Sequence, residues 1–277
     1  MDGREWQSSS ADVGHRGNLQ VVRGARHRSG LGYLHPTRGC NEIVIIRALV
    51  FAGQAHCPGD LRDGHRTCEA GAMASPEPTG ALLLAAGGGS RFLGATHKLL
   101  TPLGGQPMVR RVLEAVARSG LSPIIVVTGA VDLTDELRRE LPGRPSVVHV
   151  HHPHWQRGMA SSLHAGFEAA RRLGLAAVVV GLGDQPGVTS AAWRAVADTQ
   201  SPLAVATYNG ERRNPVRIHT ELWAHLPHEG DEGARTLLRT RPELVTEVAC
   251  EGNADDIDTV DDVARWQAQP ATQREEA

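Results

Sequence analysis

The chain has 277 residues, 40% of them apolar and 22% charged, with a formal net charge of −2. That supplies a sizeable core, argues against wholesale disorder, and argues against a dedicated nucleic-acid binder. No apolar run approaches the roughly 18 to 20 residues of a membrane span; the best, Ile43 to Ala52, is short and carries Arg47.

Residues 1–72 mix Gly, Ser, His and Arg without helical or strand periodicity, apart from the short run Glu42 to Phe51. The start, Met1-Asp2-Gly3-Arg4-Glu5-Trp6, has no basic segment followed by an apolar stretch, so no signal peptide is expected. Cys40, Cys57, Cys68 and Cys250 form no CxxC pair, which points to a reduced, cytoplasmic protein. Residues 1–78 are expected to be a poorly ordered extension, or the product of an over-long start assignment. The rival is a small metal-binding module built from Cys40, Cys57, Cys68 and nearby histidines.

From Thr79 the texture changes to apolar runs alternating with amphipathic stretches. Ala81 to Ala86 reads as a strand and leads into a Gly-rich turn, and Pro107 to Ser119 reads as a helix. Strand Pro123 to Thr128, helix Leu133 to Leu141, strand Ser146 to Val150 and helix Met159 to Leu173 follow. Then come strand Ala176 to Leu182, helix Ala191 to Asp198, and strands at Leu203 to Thr207 and Pro215 to Ile218. Helix Glu232 to Arg239, strand Leu244 to Val248 and helix Val260 to Gln267 complete the series. Apolar strands separated by helices imply an α/β fold: a three-layer, Rossmann-like sandwich with a mostly parallel sheet. The expected domain is 79–268, with 269–277 as a tail. Ligands on such sheets bind at the carboxyl ends of the strands.

The chemistry gathers at those ends. The first strand runs into Leu84-Ala85-Ala86-Gly87-Gly88-Gly89-Ser90-Arg91, followed by Lys98, the only lysine among 29 basic residues. Glycines let backbone amides approach phosphate oxygens, and Arg91 and Lys98 carry the charge to neutralise a triphosphate. GxxxxGK[ST] is absent, and GxGxxG fails because position 92 is Phe. The bland alternative is a Gly-rich strand-to-helix turn. Asp184 leaves a buried apolar strand and Asp258 precedes the last helix; convergence of the two would hold Mg²⁺, whereas apart they are turn or capping residues. Gly158-Met159-Ala160-Ser161 opens a helix whose free amides would read a nucleotide, or whose Ser161 merely caps it. Arg235, in Gly230-Asp231-Glu232-Gly233-Ala234-Arg235, is a candidate for an anionic acceptor. His149, His151, His152 and His154 read as a polar strand end, because alternation sends His149 and His151 to one face and His152 to the other.

Residues 80 to about 266 resemble the MobA-like nucleotidyltransferases, and most closely their molybdenum cofactor cytidylyltransferase branch. The likeness rests on LAAGGGSRF with Lys98, TPLGGQPMVRRV, GMASSLHAG, LGDQP, GDEGARTLL and DIDTVDDV, in that order. Members named nicotine blue oxidoreductase share much of this pattern. The resemblance implies that Leu84, Ala85, Ala86, Gly87 and Gly88 lie against the nucleotide, with Gly158 and Ser161 near it. It implies that Arg91 and Lys98 hold the triphosphate and stabilise the transition state, and that Asp184 and Asp258 bind Mg²⁺. LAAG, rather than LAGG, resembles the cytidine-using branch. Phe92-Leu93 replaces the family's usual Met-Gly, and the Arg91-to-Lys98 spacing is two residues longer than common. The implied reaction moves CMP from CTP to the terminal phosphate of a molybdopterin-type acceptor, with hand-off to a molybdenum hydroxylase and no nucleic-acid or membrane partner. An NAD(P)H-dependent oxidoreductase and a non-catalytic cofactor carrier are the alternatives.

Overall fold

The apolar runs become strands of one sheet. In the computed structural model, which describes residues 42–47 and 77–269, the chain begins with β1 (Glu42–Arg47), β2 (Thr79–Ala85), β3 (Pro102–Leu103) and β4 (Gln106–Pro107). It continues through α1 (Met108–Arg118), β5 (Ile124–Thr128), α2 (Thr134–Arg138), β6 (Val147–His151) and α3 (Met159–Arg172). Then follow β7 (Ala177–Leu182), α4 (Ser190–Ala197), β8 (Leu203–Tyr208) and β9 (Glu211–His219). The last elements are α5 (Arg235–Thr240), β10 (Val245–Ala249) and α6 (Val260–Ala268). The expected N-terminal extension, outside 42–47 and 77–78, lies outside the described residues. So do Cys40, Cys57, Cys68 and the tail from residue 270.

Among the described residues the main sheet has eight strands in the order β1-β6-β5-β2-β7-β9-β8-β10. β6, β5, β2 and β7 run parallel, as do β8 and β10. β1 lies antiparallel along β6, and β9 is antiparallel to both β7 and β8. The expected α/β sandwich with a mostly parallel sheet is therefore present. The antiparallel β9 has a local cause. Asn209 (φ 52°) and Gly210 (φ 82°) both take left-handed backbone, as a tight hairpin between twisted strands requires.

β2 shows why the sheet is covered twice. Its Ala81, Leu83 and Ala85 face a core shared with Val112, Leu113 and Trp193, from α1 and α4. Its Leu82 and Leu84 face the opposite core, with Leu163 and Phe167 of α3 and Leu237 of α5. Alternation across a strand thus fills both faces with apolar groups, each fully buried Leu contributing about 1.5–3 kcal/mol. On the second face Phe167 stacks on Trp223, ring centroids 4.9 Å apart.

Two helices are shorter than the periodicity suggests. The stretch from Leu133 to Leu141 is helical only over Thr134–Arg138, because Arg139 is already extended. The buried Arg110 takes over the end of that helix, donating to the carbonyls of Glu136 and Arg139, each at 3.3 Å, and to that of Glu140. The helix expected from Glu232 starts at Arg235, since Gly233 sits at φ 52° and cannot belong to a right-handed turn.

Candidate active site

The carboxyl ends of β2 and β7 and the segment before α6 meet around one side chain. Lys98 is pulled under the sheet edge by its neighbour Leu99, which is buried in the first core. Its Nζ donates to Asp184 Oδ2 at 2.5 Å and to Asp258 Oδ1 at 3.0 Å, and the side chain is only 10% exposed. Arg91 reaches the other oxygen of Asp258 at 2.9 Å while remaining largely exposed. Burial alone would lower the Lys98 pKa, but Asp184 and Asp258 outweigh it and hold the ammonium above its usual range. Asp184 Oδ1 is buried and has no hydrogen-bond partner.

Local structure explains why these groups converge. Asp184 follows the most apolar strand, β7, after Gly183, and its carbonyl accepts from Ile257 N at 3.0 Å, which ties the β7 end to the segment carrying Asp258. Thr259, not Asp258, is the cap of α6. Thr259 Oγ1 accepts from Asp262 N at 3.2 Å, and Asp262 Oδ2 accepts from the amides of Thr259 (2.7 Å) and Asp258 (3.0 Å). This capping box leaves the Asp258 carboxylate free to face Lys98. His97 steadies the glycine turn from below, its Nε2 lying 3.1 Å from the carbonyl oxygen of Gly87.

Leu84, Ala85, Gly87, Arg91, Lys98, Asp184 and Asp258 line one cleft of about 320 Å³. The other candidates sit around it rather than in it. Ala86 is buried, and its carbonyl accepts from Ala130 N at 3.0 Å. Gly88 backs onto Trp155, whose ring would lie 2.7 Å from a Cβ there. Gly158 (φ 98°) packs against Gly230 and Asp231, a Cβ meeting the Gly230 oxygen at 2.6 Å. The first amides of α3 are accordingly engaged: Met159 N donates to Asp231 Oδ1 at 3.2 Å and Ala160 N to the Gly230 oxygen at 2.9 Å. Ser161 is buried, donating to the Gly158 oxygen at 2.8 Å and lying 3.0 Å from His152 Nε2. Among the described residues no three of His, Cys, Asp and Glu gather as a metal cage, the strand-end histidines included.

A second cavity of about 480 Å³ adjoins the cleft and shares Leu84, Arg91, Asp231 and Asp258 with it. It contains Arg235, Gln185, Asn214, Asp256, Arg212 and Arg213; Arg235 was a candidate in the sequence, Gln185 and Asp256 lay within its motifs, and Asn214, Arg212 and Arg213 carried no signal of their own. The signal for Asn214 and its neighbours was the Asn209-Gly210 pair, a hairpin motif that folds β9 back onto the end of β7. A larger cavity, about 990 Å³, lies behind the acidic segment beside Thr189, Asn253 and Trp266. Neither Lys98 nor the glycine turn lines it.

A glycine turn, a lysine held by two carboxylates and an open cleft at the strand ends define a nucleotidyltransferase-type α/β domain. The comparisons agree. Residues 81–246 match the model of the MobA-like NTP transferase domain, and the chain belongs to that family. It is 33% identical over 197 residues to nicotine blue oxidoreductase of Paenarthrobacter nicotinovorans, covering 66% of this chain and 94% of that protein. It is 29% identical over 200 residues to the purine catabolism protein PucB of Bacillus subtilis, covering 68% and 94%. Among solved structures it is similar to Rv0371c of Mycobacterium tuberculosis, with TM-score 0.58, 26% identity, and 70% and 100% coverage. A nucleotidyl transferase from Methanothermobacter is similar at TM-score 0.57 and 25% identity, covering 68% of this chain and 95% of that one.

Proposed function

We propose that the protein transfers a cytidylyl group from CTP to the terminal phosphate of a molybdopterin-type acceptor, with release of pyrophosphate. The observation that carries this reading is Lys98, held by Asp184 and Asp258 at 2.5 and 3.0 Å beside the glycine turn. In this reading such a group would stabilise the negative charge that grows as the acceptor oxygen attacks the α-phosphorus and pyrophosphate departs. Positioning and charge stabilisation are most of what this chemistry asks of a protein. Arg91, exposed and within reach of Asp258, is suited to hold the departing phosphates. The choice of cytidine rests on the LAAG motif at Leu84-Ala85-Ala86-Gly87. The product would pass to a molybdenum hydroxylase in the cytoplasm.

Mg²⁺ fits the donor set. Asp184 and Asp258 offer hard carboxylate oxygens, and the buried, unpartnered Asp184 Oδ1 is an acceptor awaiting a partner. Held by Asp184 and Asp258, Mg²⁺ would supply charge neutralisation on the phosphate oxygens. Lys98 and Arg91 would then turn from the carboxylates toward those oxygens.

One relative's name favours a second reading, an NAD(P)H-dependent oxidoreductase. Against it stands the glycine turn, which lacks GxGxxG, and a lysine–dicarboxylate cluster that hydride transfer does not need. A non-catalytic carrier would use the same anion-binding turn without a metal at Asp184. A thermal-shift panel with CTP, GTP, ATP and NADPH, each with and without Mg²⁺, separates them. Binding at a hundred times the dissociation constant adds about 2.7 kcal/mol. A CTP shift that requires Mg²⁺ and is lost in Asp184→Ala supports the transferase. A shift with NADPH alone, indifferent to Mg²⁺, overturns it.

A further inference from the structure

The glycine turn is gripped from two sides. On one side the Trp155 ring would lie 2.7 Å from a Cβ of Gly88. On the other is His97, whose ring joins the two ends of the segment that carries Arg91. Its Nε2 lies 3.1 Å from the Gly87 carbonyl oxygen, and its Nδ1 lies 3.3 Å from Leu99 N.

Those partners leave the ring one state. Leu99 N can only donate, so Nδ1 carries no hydrogen and accepts. The Gly87 carbonyl can only accept, so Nε2 carries the hydrogen and donates. Burial and the neighbouring Lys98 ammonium hold the ring below the usual histidine range, which keeps it neutral near pH 7. The residue is fixed in turn by its own carbonyl, which accepts from Leu100 N at 2.9 Å and from Thr101 Oγ1 at 3.4 Å.

A contact at Gly87 reaches further than one oxygen. The Gly87–Gly88 peptide is planar and trans, so a held Gly87 carbonyl also fixes the Gly88 N–H, pointing the opposite way. Among the described residues, the amides of Gly88, Gly89 and Ser90 donate to no backbone oxygen. Free amides in a fixed turn are what an anion-binding concavity requires. Gly89 (φ 61°) leans on the lysine, since a Cβ there would meet Lys98 Cγ at 3.3 Å. Turn and ammonium are therefore held as one unit through the residue just before the lysine.

We infer that His97 is a positioning residue for phosphate binding: as the Nε2–H tautomer it ties the glycine turn to the start of the Lys98 segment, so that the turn's amides and the ammonium meet one triphosphate in a single arrangement. The role rests on the nucleotidyl-transfer reading and adds to it a residue outside both the glycine turn and the carboxylate cluster. A residue that merely caps the single helical turn at Lys98–Leu100 would need only Nδ1.

Two variants separate the two nitrogens. His97→Asn keeps an acceptor for Leu99 N, because its Oδ1 takes the place of Nδ1, but its side chain ends one bond short of the Nε2 position. His97→Gln carries a side-chain N–H out to about the reach of Nε2. Binding of CTP and, separately, of inorganic triphosphate, each with Mg²⁺, is measured by calorimetry on the whole protein. Both ligands should bind about fivefold more weakly to His97→Asn, the scale of one neutral hydrogen bond, and within roughly twofold of the parent to His97→Gln. Nitrogen NMR of the unmodified protein should show a neutral imidazole protonated on Nε2 whose signals disappear in His97→Asn. Undiminished affinity in His97→Asn overturns the role, as does an equal loss in both variants or a ring protonated on Nδ1. If the parent binds triphosphate but not CTP, the cytidylyl-transfer reading fails while the triphosphate series still decides the role of His97. Binding of neither ligand by the parent overturns both.

Discussion

Replacing Lys98 by Met removes the cation that two carboxylates share. Asp184 and Asp258 are 18% and 19% exposed, so their charges are poorly screened once the lysine is gone. Breaking a buried pair by deleting one partner costs about 3–5 kcal/mol, and the lower end suits groups with this much solvent access. At about 2–4 °C per kcal/mol for a domain of this size, Lys98→Met should melt roughly 6–12 °C lower. Turnover should fall about 10²- to 10³-fold, the scale of one lost transition-state donor. Mg²⁺ should raise the melting temperature of the variant more than that of the unmodified protein, where the metal competes with the ammonium. Calorimetry across a Mg²⁺ titration and a pyrophosphate-release assay measure both effects. Near-normal turnover, or a Mg²⁺ shift no larger than in the parent, refutes the role given to Lys98.

Three further outcomes follow from the same geometry. Gly158→Ala forces a side chain onto φ 98° and into the Gly230 carbonyl, 2.6 Å away, and should cost about 1–3 kcal/mol in urea unfolding; an unshifted midpoint contradicts the packing described. Asp262→Ala removes the capping box and the acceptor of Asp258 N, so about 0.5–2 kcal/mol of stability should go together with a fall in kcat. A change in stability alone would show that Asp258 needs no support from Asp262. Burial holds His97, His152 and His164 below the usual histidine range, the glycine-turn histidine also feeling Lys98. The unfolded chain then binds protons first, so stability present above about pH 6.5 is lost as pH falls through the lower folded-state values. His152→Gln should flatten that acid limb, and an identical slope in the variant rules His152 out as a contributor.

The strands were legible because burial on both faces leaves an unbroken apolar run, as in Ala81 to Ala86 and Ala176 to Leu182. β9 was half legible. Its second half, Pro215 to Ile218, is buried and apolar apart from Arg217, whereas Glu211, Arg212 and Arg213 are exposed and carry no strand signal. Direction depended on the two-residue hairpin, not on hydrophobicity. For the site, Lys98, Asp184 and Asp258 stood out by residue type and by their places at strand ends, and they do meet. Gly158 and Ser161 were legible as the start of a helix, but sequence could not reveal that Gly230 and Asp231 lie across it. Nor could it reveal the hydrogen bonds from Asn214 to Gln185 and from Gln185 to Asp256, which join residues 29 and 71 positions apart. β1 was legible only as the brief periodic run inside an otherwise patternless stretch, and its partner strand β6 lies far along the chain.

Incubation of the purified protein with CTP labelled at the α-phosphate, Mg²⁺ and a phosphorylated pterin acceptor tests the central claim most directly. Label should appear on the acceptor with one pyrophosphate released per molecule of product, and neither should form without Mg²⁺ or in Asp184→Ala. Oxidation of NADPH by the protein in the absence of any label transfer would contradict it.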